Sequence, residues 1–304
     1  MKTLIAFTKK EFMAGKATTV DQQIELLRSR GMDIEDEVKA KEILLDVGYY
    51  RLGFYWYPFE RDNKCKNRLH EFIEGASFKD AVDLYYFDYQ LKNIILKYIS
   101  RIEINLRTKL IYIVSNQYPD SPTWFADPSI VNHKHVKDIV QNYTTELLKH
   151  NPVLRSHHKK YINDKYAPAW KTIEFMPLGS VQYLYINLKD QGIKLKIANE
   201  YSVKHITVFE NYIEAVRNVR NACAHGNILY DLHLPKAIRK GPAGSMTPFI
   251  NTRLSGAIKV IAYLVKTIST NRYAEMLKEI SDLESNNQYK AVLKKLNINF
   301  SKLL

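Results

Sequence analysis

Apolar residues recur at helical spacing along most of the chain. The longest run begins at Phe78 and continues to about Tyr118, where Pro119 and Pro122 follow. Its apolar positions advance by three and four residues, which is the spacing of one face of an α-helix. The stripe consists of Leu84, Phe87, Leu91, Ile94, Tyr98, Ile102, Leu106 and Leu110. The pattern therefore predicts one long amphipathic helix.

Shorter helical patterns precede and follow this run. The capping-box spacing of Thr19 and Gln22 starts a first helix that ends near Gly31, and a second helix ends at Gly48. Later helices are expected over 133–150, 153–164, 169–190, 192–201, about 205–227 and, as the last, about 251–270. No alternating pattern is long enough for a major sheet. The sequence predicts an all-α fold, with a helical N-terminal unit over 1–77 and a larger helical core over 78–304.

An aromatic-rich stretch lies between the second helix and the long one. Residues 49–59 read YYRLGFYWYPF, and seven of these eleven side chains are aromatic. One interpretation is a surface on which nucleic-acid bases stack. The favoured interpretation is an aromatic cluster that docks the N-terminal unit onto the rest, because aromatic side chains dominate core burial.

Composition narrows the class of protein and its partners. The 304 residues carry 45 Lys and Arg against 32 Asp and Glu, a formal net charge of +13, which fits a polyanionic partner. Only Cys65 and Cys223 are present, which excludes a disulfide scaffold and a four-cysteine zinc site. The sequence shows no signal peptide and no membrane-spanning segment, so we expect a cytoplasmic protein without a membrane partner.

The helix over about 205–227 contains the residues best suited to chemistry. At 100° per residue, Arg217, Arg220, Asn221 and His225 fall within one arc of roughly 140°. The opposite side carries a credible core face, made of Ala215, Val216, Val219, Ala222 and Cys223. One helix would thus bury small apolar residues and present two guanidinium groups, an amide and an imidazole together.

This polar set suits cleavage of RNA. Attack by a 2′-OH needs a base, an acid for the departing 5′-oxygen and positive charge at the phosphate. Histidine transfers protons near neutral pH, and arginine matches phosphate oxygens with forked donors. One chain supplies one such imidazole, so a symmetric dimer would complete the site. The alternative is that the arginines pair with acidic neighbours and the histidine is a satisfied polar residue; spacing alone favours this alternative.

The order of motifs along the chain resembles a known family. The segment from Arg220 to His225, RNACAH, matches the R-N-x-x-x-H signature of HEPN-superfamily ribonucleases. Further matching blocks are 23–31 (QIELLRSRG), 48–59 (GYYRLGFYWYPF), 87–88 (FD), 100–108 (SRIEINLRT), 168–179 (PAWKTIEFMPLG) and 217–231. Together these blocks resemble the AbiD/AbiF-type Abi-like proteins, which are bacterial abortive-infection factors.

The resemblance implies a HEPN-type helical bundle core, a homodimer and metal-independent endoribonuclease activity in phage defence or as a toxin, with no cofactor. It gives Arg220 and His225 catalytic roles and Asn221 an orienting role, with Arg217 as a further RNA phosphate contact. A neutralising RNA or protein antitoxin is expected. Many members carry a second histidine or a bulky polar residue directly after the first; here Gly226 and Asn227 follow instead.

Residues of the long helix are candidates for a supporting role. Glu103 and Arg107 have the spacing of an ion pair on a helix surface, which contributes little to stability. The alternative is that Arg101, Glu103 and Arg107 support Arg220 and His225 from behind.

Other candidate sites are weaker. Cys223 and His225 are two residues apart and do not face each other on a helix, which disfavours a thiol nucleophile with its base. The histidine pairs at 133 and 135 and at 157 and 158 lack a carboxylate or cysteine at a recognised metal-site spacing, so a solvated basic face is favoured. Basic side chains that would track a nucleic-acid backbone are Lys159, Lys160, Arg239, Lys240, Lys294 and Lys295.

Two other functions remain open from the sequence. The first is a non-catalytic RNA-binding module that holds a specific structured RNA. The second, an effector of anionic membranes, is disfavoured because no strongly amphipathic basic helix with exposed aromatic residues is present.

Overall fold

The computed structural model describes residues 17–65 and 69–303 of the chain. Within these ranges the backbone is helical apart from loops and isolated bridges, and it contains no β-strand. The predicted all-α fold is confirmed. The α-helices are α1 (Val20–Ser29), α2 (Glu37–Asp46), α3 (Tyr49–Trp56), α4 (Phe78–Gln117), α5 (His133–Asn142), α6 (Leu148–His150), α7 (Pro152–Lys160), α8 (Ala169–Thr172), α9 (Leu178–Ile186), α10 (Gln191–Asn199), α11 (Ile206–Ala224), α12 (Leu254–Ile268), α13 (Thr270–Ser285) and α14 (Asn287–Lys295).

Two compact units divide the chain. The first comprises residues up to Phe87 together with Asn287–Asn297, and the second comprises Asp88–Asn286 and Ile298–Leu304. The α4 helix therefore contributes its first turns to one unit and the remainder to the other. The sequence-based division into 1–77 and 78–304, with the smaller part as a helical N-terminal unit, stays a prediction.

The first unit contains α1–α3, the start of α4 and α14. The predicted capping box is present, because the Thr19 hydroxyl accepts a bond from the Gln22 amide and the Gln22 side chain bonds back to Thr19. The aromatic stretch 49–59 forms α3 and a short 3₁₀ turn, and its rings divide between two environments. Tyr55, Trp56 and Phe59 are buried, whereas Tyr50 is 82% exposed. Its predicted docking role stays a prediction.

The α4 helix is the long amphipathic helix that the sequence predicts. It runs for 40 residues and ends two residues before Pro119. The predicted apolar stripe is buried apart from Ile94, which is half-buried, while its neighbour Ile95 is fully buried. The stripe therefore drifts by one position, as expected when a 3.6-residue helix is followed over many turns.

In the second unit, α11 is packed against α9, α10 and α12. Nine of its 19 residues are buried, which makes it a central element of that unit. None of the helices in the described ranges has both the length and the apolar character that crossing a bilayer requires.

Three details of the helix pattern differ from the sequence prediction. The expected helix over 169–190 is broken before α9, because Met176 is extended and Pro177 removes a backbone donor. A π-helical turn, Tyr143–Leu147, interrupts the expected helix over 133–150. The helix near 251–270 is not the last, since α13 and α14 follow it.

Candidate functional site

The α11 helix separates a buried face from a polar face, as its sequence predicts. Its small apolar positions, Ala215, Val216, Val219, Ala222 and Cys223, are all buried. On the other side, Arg217, Arg220 and Asn221 are half-buried, and His225 directly after the helix is exposed. Core packing thus fixes the direction in which the polar side chains project.

His225 occupies the C-cap of α11, and Gly226 makes the helix end possible. Gly226 has φ of +67°, a left-handed conformation that glycine adopts without the steric cost of a side chain. Its amide bonds to the Cys223 carbonyl at 3.2 Å, and the Asn227 amide bonds to the Ala222 carbonyl at 2.9 Å. This pair of bonds is the Schellman helix ending. The Gly226-Asn227 sequence that departs from the family pattern therefore terminates the helix directly behind the histidine.

Arg220, Asn221 and His225 have side chains that no other group in the described residues engages. Neither guanidinium on this face, Arg217 or Arg220, lies within ion-pair distance of a carboxylate there, and the His225 ring makes no hydrogen bond there. The alternative interpretation, in which acidic neighbours pair with the arginines and the histidine is satisfied, lacks its expected partners in this part of the chain. The face is exposed and carries two positive charges.

Arg217 lies against α9. The space above Gly179 is filled by the Arg217 stem, whose Cδ lies 3.7 Å from the position that a Cβ at Gly179 would take. The Nε of Arg217 is buried without a hydrogen-bond partner, as is the Oε1 of Gln182, one turn further along α9. Both side chains line a cavity of about 300 Å³ whose rim includes Lys236 and Arg239. Arg217 therefore borders both the polar face and a basic cavity.

A buried carboxylate holds the chain that follows His225. Asp88 is fully buried and accepts hydrogen bonds from the Leu229 amide at 3.0 Å and the Tyr230 amide at 2.6 Å. Its second partner is the Lys92 ammonium group, one turn further along α4, at 2.7 Å. Asp88 was part of the motif pattern, but its role was missed, because its bonding partners are 141 and 142 residues away in the sequence.

The supporting residues proposed on α4 occupy different environments. Arg107 is buried, and its Nη2 donates to Glu103 at 3.3 Å and to the Met176 carbonyl at 3.0 Å. Because Met176 lies three residues before Gly179, Arg107 and Arg217 both contact the short segment that joins α8 to α9. Arg101 is exposed and makes no hydrogen bond or ion pair with any residue that the structure describes. The roles of Arg101, Glu103 and Arg107 behind the site stay predictions.

Cys223 belongs to the core of the second unit. Its side chain is buried, and burial raises the pKa of the thiol to about 12. The thiolate form is the nucleophile, so a thiol with this pKa is unreactive near neutral pH. The buried position therefore argues further against a Cys223–His225 nucleophile and base.

The histidine pairs are partly buried, which corrects their assignment to a solvated basic face. His135 is 3% and His157 is 5% exposed, because α5 and α7 turn these side chains toward the interior. Burial lowers the pKa of His135 to about 4, and both of its ring nitrogens lack a hydrogen-bond partner. Among residues 17–65 and 69–303, no group of three or more potential metal-ligating His, Cys, Asp or Glu side chains occurs.

Comparison with known proteins supports the sequence resemblance at the family level. The family model described as Abi-like protein matches residues 42–231, which is more than half of the chain. The match includes Asp88, Arg107, Gly179, Arg217 and the whole segment from Arg220 to His225. No curated protein and no solved structure gives a significant match. On the strength of this match, the chain belongs to the Abi-like protein family.

Proposed function

We propose that this chain is a HEPN-type, metal-independent endoribonuclease that acts in abortive infection or as a toxin. The observation that carries the proposal is the polar face of α11, where two arginines and a histidine project without an acidic partner in the described residues. Unpaired positive charge beside an imidazole suits a phosphodiester better than a neutral substrate. Membership in the Abi-like family supports the defence role.

In this mechanism, the 2′-OH of the RNA attacks the adjacent phosphorus, and the bond to the 5′-oxygen breaks. An imidazole accepts the 2′-OH proton, and an imidazolium donates a proton to the leaving oxygen. Arg220 neutralises the phosphate oxygens as negative charge concentrates on them, and Arg217 binds a neighbouring phosphate. Asn221 orients the RNA or the histidine. The products are a 2′,3′-cyclic phosphate and a 5′-hydroxyl.

Two imidazoles are needed for this proton traffic, and each chain supplies one at this site. A twofold dimer with the polar faces of two α11 helices across a shared cleft would bring His225 and the partner's His225 to the same phosphate. One ring would act as the base and the other as the acid. The exposed position of His225 at the helix end is compatible with such a cleft.

Such an enzyme would damage the RNA of its own cell, so a neutralising partner belongs to the proposal. The net charge of +13 favours an RNA antitoxin over a protein one. The cell compartment that this implies is the cytoplasm, where both the target RNA and the antitoxin are made.

The test is RNA cleavage by purified full-length chain in excess EDTA, with mapping of product ends. Wild type should cut total bacterial RNA, whereas His225→Ala and Arg220→Ala should lose at least 100-fold in rate, the lower range for a general acid–base group. His205→Ala is the matched control, because His205 is exposed at the opposite end of the same helix. We expect the control to retain wild-type activity.

Each outcome distinguishes between the candidate functions. Equal cleavage by wild type and His225→Ala would overturn the proposed site. Absence of cleavage by every variant, combined with salt-sensitive RNA binding by a folded protein, would favour the non-catalytic RNA-binding module. A DNA strand of the same sequence should remain intact, because it lacks the attacking 2′-OH.

A further inference from the structure

A second basic surface lies on the segment 149–171, which covers the end of α6, the α7 helix, the loop after it and the first half of α8. Six Lys or Arg side chains occur in this segment against a single carboxylate, that of Asp164. The cations are Lys149, Arg155, Lys159, Lys160, Lys165 and Lys171. None of the six forms an ion pair with a carboxylate anywhere in the described part of the chain. Clustered cations without counter-ions repel one another and favour a polyanionic partner.

Exposed aromatic rings are interspersed among these charges. Tyr161 is 44% and Trp170 is 52% exposed. The ammonium groups of Lys160 and Lys171 lie 5.3 and 5.9 Å from the centre of the Tyr161 ring. Large aromatic side chains are costly to leave in water, and their combination with lysines is the arrangement on which single-stranded nucleic acids stack.

A buried histidine holds this surface in place. Burial, with the Lys171 charge beside it, lowers the pKa of His157, so its ring is neutral at pH 7. In the neutral ring one nitrogen donates and the other accepts. Nε2 lies 3.1 Å from the Asp164 carboxylate as donor, and Nδ1 lies 3.4 Å from the Lys171 ammonium group as acceptor. The His157 ring also packs against Tyr161, with ring centres 4.9 Å apart.

A second buried contact fixes the end of the same loop. The Tyr143 hydroxyl, which lies in the π-helical turn, accepts a hydrogen bond from the Ala167 amide at 2.8 Å. Tyr143 itself is 1% exposed. The aromatic rings and lysines of the segment are therefore presented on a loop that is tied to the interior at two points, which lowers the entropy cost of binding.

We propose that the 149–171 surface is a binding site for single-stranded RNA. Tyr161 and Trp170 supply faces on which two bases stack, and Lys159, Lys160 and Lys171 contact the phosphates between them. The site extends the proposed function by giving the ribonuclease a place to hold its substrate outside the α11 face. Binding here does not depend on His225, so it survives even where cleavage fails.

Stacking on aromatic rings predicts a characteristic pattern of affinities. Single-stranded RNA and single-stranded DNA of the same sequence should bind about equally, because a stacking ring does not contact the 2′-OH. A duplex of the same length should bind more weakly, since its bases are already stacked. A polyanion without bases should compete only through its charge.

The experiment uses the full chain with His225→Ala, so that bound RNA is not cut, and a fluorescein-labelled 12-nucleotide RNA in an anisotropy titration. Tyr161→Ala and Trp170→Ala should each raise Kd about tenfold, within the range measured for one stacked base. Tyr161→Phe retains the ring and should bind as the parent does. Lys159→Ala with Lys160→Ala should lower the slope of log K against log salt by about 1.4, or 0.7 per phosphate contact.

The matched control replaces two other exposed lysines, Lys290→Ala with Lys302→Ala, which removes the same charge from elsewhere. Unchanged binding in this control, together with the losses above, would establish the site. Unchanged Kd in Tyr161→Ala and Trp170→Ala, with circular dichroism showing folded protein, would overturn it. Equal losses in the lysine control would also overturn it, because the binding would then be a general charge effect.

Discussion

The Asp88–Lys92 pair offers the sharpest test of how the chain after His225 is held. The perturbation is Asp88→Asn, which keeps the size of the side chain but removes its charge. The carboxylate is fully buried, it accepts bonds from two backbone amides, and the Lys92 side chain is only 10% exposed. Removal of the charge therefore leaves a nearly buried ammonium group without its counter-ion.

The expected cost follows from these contacts. Removing one partner of a buried ion pair typically costs about 3–5 kcal/mol, because the remaining charge stays desolvated. In a unit of about 200 residues, each kcal/mol corresponds to about 2–4 °C, so Tm should fall by roughly 10 °C. Lys92→Met should cost less, about 1–2 kcal/mol, because Asp88 retains the two backbone amides as donors.

The assay is urea unfolding followed by circular dichroism, with thermal unfolding as a second measurement. RNA cleavage should fall together with stability in Asp88→Asn, since the loop that leaves His225 loses its anchor. A loss below about 1 kcal/mol in Asp88→Asn would refute the reasoning. So would a larger loss in Lys92→Met than in Asp88→Asn, because it would show that the amide contacts do not hold the carboxylate.

Three further predictions concern single positions. Gly226→Ala should cost about 1–2 kcal/mol in thermal unfolding, because the left-handed backbone at φ of +67° is strained for alanine, and Gly226→Asn should cost less; equal stability of all three proteins would contradict the assigned helix ending. A thiol reagent at pH 8 should modify exposed Cys65 rapidly and Cys223 only on unfolding, because burial raises the Cys223 pKa to about 12; two rapid equivalents in native protein would be inconsistent with this burial. His135 has its pKa lowered to about 4, so the unfolded chain binds a proton that the native chain does not as pH falls from 6.5 to 4, and stability is lost there. His135→Phe should remove up to about 3 kcal/mol of this loss, and an unchanged pH dependence of urea unfolding would exclude His135 as its source.

The helices whose signals are local could be predicted from the sequence. The capping box at Thr19 and the long apolar stripe of α4 required only neighbouring residues to form, and both are present. The α13 helix was missed although its buried residues, Met276, Ile280 and Leu283, have helical spacing. Its remaining positions are polar, so the apolar stripe is narrow and the periodic signal is weak.

The candidate site divides in the same way between local and distant information. The core face and the polar face of α11 follow from helix geometry, so the sequence predicts which residues share a side. The anchoring by Asp88 and the support of Arg217 by Gly179 join positions far apart in the chain, and no local pattern reports such contacts. Burial of His135 and His157 was likewise misjudged, because lysines next to them in sequence project in other directions.

The placement of the polar face on α11 also determines how the protein would lose activity. With nearly half of its residues in the core, α11 has no way to fray or open without disrupting the second unit as a whole. Backbone amides in its middle should therefore exchange with deuterium only through global unfolding, while those after Gly226 exchange through smaller openings. Heat or denaturant should then abolish the function of this face at the same point at which the unit unfolds, with no earlier inactive native state.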